Sequence, residues 1–88
     1  MDERSAIAAF NGYLLRKQEE IGEALIRIPS PVQRLSRGWV FFYQSRAFLE
    51  AGDSGKMLVG HGPVVLSDDG RIVEGGSLDS DPETLLLR

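Results

Sequence analysis

The 88-residue sequence predicts an α+β fold in which an N-terminal helix packs on a small antiparallel sheet of about four strands. Three observations predict it. Apolar residues recur at helical spacing near the N-terminus, an aromatic apolar segment occupies the middle of the chain, and an Asp-Gly turn separates two short apolar runs near residue 70. A chain of this length is expected to form one domain, residues 1–88, around one core.

The N-terminal segment is expected to be a helix from about residue 3 to 19. Asp2 or Ser5 can cap its first turn, and Arg16 and Lys17 lie near its negative end. The apolar residues that give the three, four and seven residue steps are Ile7, Phe10, Leu14 and Ile21.

The central segment, residues 38–43, is expected to be a strand, because it is apolar from Trp39 onward and too short for an independent helix. Alternation would place Trp39, Phe41 and Tyr43 on one face and Val40 and Phe42 on the other. The helix can cover one face, and loops, the C-terminal tail or a partner chain must cover the other. Replacing Trp39 with Ala is expected to cost about 3 to 5 kcal/mol. The predicted structural core is Phe10, Leu14, Trp39, Phe41, Phe42, Tyr43, Val65 and Ile72.

Shorter elements surround this strand. Residues 32–35 resemble the partner arm of a hairpin, residues 24–28 an edge strand or extended loop, and residues 47–50 a short helical turn. The Asp-Gly turn at 69–70 is expected to join strands at 64–66 and 71–74 through positive backbone dihedrals. The leucines at 85–87 indicate a docked short C-terminal helix or a truncation of the natural chain.

Side chains that could act in catalysis or bind a metal are scarce. The chain has no cysteine, which excludes disulfides, thiolate zinc sites and cysteine nucleophiles. His61 is the single histidine and is expected to lie in a bend between two glycines. We therefore expect no catalytic, cofactor or metal site, and a protein that is not an enzyme. No signal peptide or membrane span is readable, so we expect a cytoplasmic protein without membrane contact.

Charge is divided unevenly along the chain. Residues 1–49 carry a net charge of +2 and residues 50–88 one of −5, by counts of seven Lys/Arg against five Asp/Glu and of three against eight. An acidic half would repel nucleic acid and attract a basic protein, although a solvated surface is the simpler explanation. The candidate partner-binding residues are Glu50, Asp53, Asp68 and Asp69.

Four ordered blocks, at residues 38–45, 48–53, 58–65 and 69–72, together resemble the YrhB-like immunity proteins, or immunity protein 35. The usual features of that family are a Gly-Trp-aromatic strand, an aromatic-Leu-Glu-Thr-Gly-Asp turn, an Ala/Val-Gly-Asn-Gly-Pro entry to a strand and an Asp-x-x-Gly-x-Ile hairpin. Ala51 and His61 depart from that pattern, where Thr and Asn are usual.

The resemblance implies a cytoplasmic bacterial protein of a polymorphic toxin system. Such a protein neutralises a cognate toxin, encoded next to it, by stoichiometric binding. A chaperone-like holdase that binds unfolded clients is the alternative, and self-association stays open because a small sheet leaves an edge or a face uncovered.

Overall fold

The computed structural model describes residues 1–29, 32–58, 61–76 and 81–87. It has the expected α+β architecture: an N-terminal helix, antiparallel sheets and a short C-terminal helix. A 3-10 turn at Ser54–Lys56 lies between the second helix and the fifth strand. In chain order the elements are α1 (Glu3–Ile21), β1 (Leu25–Arg27), β2 (Gln33–Leu35), β3 (Gly38–Phe41), β4 (Tyr43–Ser45), α2 (Arg46–Ala51), β5 (His61–Ser67), β6 (Ile72–Gly76) and α3 (Pro82–Leu85).

Helix α1 begins and ends at residues that can satisfy its terminal backbone groups. The Asp2 carboxylate accepts a hydrogen bond from the Ser5 backbone N–H at 2.7 Å, as an N-terminal cap does. Gly22 ends the helix with a φ of 81°, a conformation that glycine adopts without a Cβ penalty. The helix therefore runs two residues past the predicted end at residue 19.

The strands form two antiparallel sheets. Four of them follow the order β2-β3-β5-β6, while β1 and β4 pair separately. In the β5–β6 turn only Gly70 has a positive φ, of 91°. The Asp-Gly pair predicted positive dihedrals at more than this one residue. Gly70 donates its backbone N–H to the Ser67 carbonyl at 2.9 Å, so the connection is an ordinary turn followed by a glycine bulge.

Helix α1 covers one face of the four-stranded sheet. Phe10 stacks on Phe41 with ring centroids 4.4 Å apart and planes inclined by 8°. Lys17 Nζ lies 3.0 Å from the Glu74 carboxylate on β6, which fastens the helix to the far strand. The buried residues of this layer are Ala6, Phe10, Tyr13, Leu14, Leu25, Phe41, Tyr43, Val64 and Leu66.

Helix α3 covers the opposite face. Leu85 is fully buried there with Leu35, Val40 and Val65. Ser36 holds the helix in place, because its backbone N–H and hydroxyl donate to the two Glu83 carboxylate oxygens at 2.8 and 2.7 Å. The second face of the central strand is thus covered within the chain.

Phe42 corrects the prediction of a single strand from residue 38 to 43. The chain leaves the larger sheet after Phe41 and joins the smaller one at Tyr43. Phe42 lies between them and is 43% exposed, because the layer under α3 includes Val40 but does not extend to the next residue on that side. Its predicted place in the core is therefore wrong.

The other predicted core residues differ in how completely they are buried. Phe10, Leu14, Phe41, Tyr43 and Val65 are buried. Trp39 and Ile72 are only partly buried, where they pack against the layer beneath α1. A substitution at Trp39 is consequently a weaker test of core packing than a substitution at Phe41.

The adjacent phenylalanines provide a matched test of this arrangement. Phe41→Ala should lower the free energy of unfolding by about 3 to 5 kcal/mol, because it empties a buried aromatic site. Phe42→Ala should cost about 1 kcal/mol or less, because Phe42 is 43% exposed and lies outside both buried clusters. Urea unfolding followed by circular dichroism measures both, and equal losses would contradict the change of sheet at residue 42.

Candidate functional site

Asp68, a candidate binding residue in the β5–β6 turn, is held by an arginine. Arg34 on β2 donates from Nη1 and Nη2 to the two Asp68 oxygens at 2.7 and 2.8 Å. The same guanidinium lies 4.9 Å from the centre of the Trp39 ring. These hydrogen bonds lower the pKa of Asp68 from its usual 3.8, so the carboxylate already has a cationic partner inside the chain.

Asp69, the second acid of this turn, is also engaged locally. It accepts a short hydrogen bond from the Ser67 hydroxyl and another from the Arg71 backbone N–H at 3.2 Å. Both lower the pKa of Asp69. Its contacts are those of a side chain that organises a tight turn.

Glu50 and Asp53 lie at the end of α2. Glu50 is 3.2 Å from Arg46, one helical turn earlier, and Asp53 accepts the Gly55 backbone N–H at 3.1 Å. The Asp68 backbone contacts Arg37, just before β3 begins, whereas α2 starts after β4 ends. The two acidic pairs therefore lie beyond opposite ends of the segment 38–45, and partner binding by them stays a prediction.

A groove between α1 and β1 is a better candidate surface, and the sequence did not indicate it. One stripe of α1 forms a wall with Ile7, Asn11, Leu15 and Gln18, and Ile26 and Arg27 of β1 form the other. The groove encloses about 530 Å³. Leu15 is 65% exposed at its edge, and Arg46 at the start of α2 also contributes.

The walls of this α1–β1 groove are fixed to one another. The Gln18 side-chain oxygen accepts the Leu25 backbone N–H at 2.8 Å. On the other side of β1, the Arg46 backbone N–H donates to the Ala24 carbonyl at 2.9 Å. Helix, strand and the start of α2 are therefore held in one arrangement before any partner arrives, which reduces the entropy cost of binding.

Other candidate chemistry is limited. The backbone of His61 pairs with Gly76 at the start of β5, not in the expected bend. Among the residues described, no group of His, Asp and Glu side chains could hold a metal ion. None of the described helices is both long and apolar enough to cross a membrane.

Comparison with known proteins places the chain in a family. A family profile described as immunity protein 35 matches residues 4–84. The chain whose helix α1 packs on an antiparallel sheet therefore belongs to a class of immunity proteins. This chain is a member of the immunity protein 35 family.

A curated relative is similar over a shorter segment. It is described as uncharacterized protein YrhB of Escherichia coli (strain K12), and it is 42% identical over 36 residues. That segment covers 41% of this chain and 38% of the relative, less than half of either protein. No solved structure matches the chain.

The Arg34–Asp68 contact yields a pH-dependent prediction. Because the pKa of Asp68 is lower when folded than its usual 3.8, its charge stabilises the fold above that pH, and this contribution is lost as the pH falls through the folded value. Asp68→Asn should therefore lower the urea midpoint at pH 7, and the difference from wild type should shrink below pH 3.8.

The matched control is Glu50→Gln, which removes an acid from an exposed pair with Arg46. Such a pair contributes little to stability, so its midpoint should stay near wild type. An Asp68→Asn variant as stable as wild type at pH 7 would show that Asp68 is not structural and would favour its predicted role in partner binding.

Proposed function

We propose that this chain is an immunity protein that binds a cognate bacterial toxin and neutralises it by stoichiometric occlusion. The observation that carries the proposal is membership of the immunity protein 35 family across residues 4–84. We further propose that the chain acts in the cytoplasm by binding and not by catalysis, and that a neighbouring gene encodes the toxin.

The exposed surface supports a binding role. The α1–β1 groove presents Leu15, Ile7 and Ile26 together, and grouped apolar side chains on a soluble protein mark interaction sites more often than single ones do. A standard interface covers roughly 800 Å² of each partner, about a seventh of the 5359 Å² that the chain exposes. A bound partner would therefore contact a broad area around the groove, enough to block an opposing active site.

Coexpression with the product of the neighbouring gene tests the proposal. The expected results are restored growth of cells that make the toxin, a one-to-one complex in gel filtration, and saturation at one equivalent in titration calorimetry. A noncognate toxin is the control and should stay active. Absence of a complex, or protection at strongly substoichiometric amounts, would overturn occlusion as the mechanism.

A holdase is the second candidate, because Leu15, Phe42 and Leu87 are large apolar side chains that remain exposed. This alternative predicts weak binding to many unfolded proteins instead of tight binding to one. Light scattering from several unrelated, heat-denatured proteins distinguishes the two. Suppressed aggregation of all of them, without toxin binding, would replace the immunity proposal.

A further inference from the structure

The α1–β1 groove combines apolar walls with positive charge. Ile7, Leu15 and Ile26 supply apolar side chains, and Arg27 and Arg46 supply two guanidinium groups. The residues that line it include no Asp or Glu. This is a local reversal, since the chain carries 13 Asp and Glu against 10 Lys and Arg.

A second, smaller hollow continues this surface. It encloses about 60 Å³, shares Arg27 with the α1–β1 groove, and includes Phe42. Its lining also lacks acidic residues. The exposed apolar side chains of Leu15 and Phe42 therefore line two neighbouring cavities that share Arg27.

From these observations we infer that the α1–β1 groove binds an apolar segment of the toxin that carries acidic side chains. This inference rests on the proposed function and names the chemistry of its partner. Apolar groups of the segment would pack between Leu15 and Ile26, while a carboxylate would contact Arg46. An amphipathic segment bound in a groove is a recurrent mode of protein recognition.

The intramolecular ion pair between Arg46 and Glu50 is weak enough for a carboxylate of the toxin to replace Glu50 as the partner of Arg46. Arg46 contacts Glu50 at 3.2 Å, and both side chains are more than half exposed. Such a pair contributes little free energy, so a carboxylate of the partner can compete with Glu50 for the guanidinium. Desolvation by the packed segment would strengthen the new contact.

The acidic net charge does not oppose this binding. Net charge acts on approach and over distances of several ångströms, whereas contact energies depend on the groups that meet. A toxin that is basic as a whole can therefore present a locally acidic, apolar segment. A groove with cationic side chains would bind an acidic segment, whereas Asp68 and Asp69 would bind a basic one.

Substitutions at Leu15 separate the apolar from the electrostatic contribution to toxin binding. Leu15→Glu and Leu15→Lys remove the same apolar contact but add opposite charges to the groove. Both should weaken toxin binding, and the Kd should rise at least about tenfold for Leu15→Glu. The rise should be smaller for Leu15→Lys, because a lysine attracts the carboxylates that a glutamate repels.

The matched controls are Leu87→Glu and Leu87→Lys, because Leu87 is 86% exposed after α3 and does not line the groove. Their Kd values should stay within about twofold of wild type, as expected of a site outside the interface. Circular dichroism and melting temperatures check that all four variants are folded. Arg46→Gln adds a second readout and should reduce the dependence of Kd on salt.

The outcomes are distinct. If wild type binds the toxin and the Leu15 variants bind equally well, the groove is not the site, although the proposed function stands. If Leu15→Lys weakens binding more than Leu15→Glu, the acidic character of the segment is wrong. If wild type binds no toxin, the proposed function and this inference fall together. A wild-type dimer in sedimentation velocity that Leu15→Glu dissociates would assign the groove to a second copy of the chain.

Discussion

The stacking of Phe10 on Phe41 is the contact on which the rest of the arrangement depends. It places α1 across β3 with the two rings nearly parallel, and it directs the odd-numbered residues of β3 toward the helix. Strand alternation then turns Val40 to the opposite face, where Leu85 of α3 covers it. The position of α1 also creates the α1–β1 groove, because a helix fixed over β3 leaves one of its stripes beside β1.

Local signals in the sequence were sufficient for most of the fold. Helical spacing and Asp2 predicted α1, and the glycine of the Asp-Gly turn predicted the β5–β6 hairpin. The break at Phe42 was not predictable in this way. Residues 39–43 are apolar without interruption, so nothing in their pattern indicates that the chain changes sheets between Phe41 and Tyr43.

The binding surface was harder to predict because tertiary contacts decide it. Asp68 looks like a free surface acid in the sequence, but its partner Arg34 lies 34 residues away. The groove likewise depends on tertiary structure, because Leu15 of α1 and Ile26 of β1 line it together. One signal was available: Leu15 follows Leu14 directly and falls outside the helical spacing of the buried residues, which indicates an apolar side chain facing solvent.

The shortness of α3 has a consequence for local stability. One fully buried leucine, Leu85, anchors this four-residue helix over the second face of the sheet. A helix this short is not stable alone, so α3 is expected to unfold locally at a lower free energy than the sheet. The resulting form keeps the described strands but uncovers Leu35, Val40 and Val65, and an exposed apolar sheet face of this kind promotes aggregation.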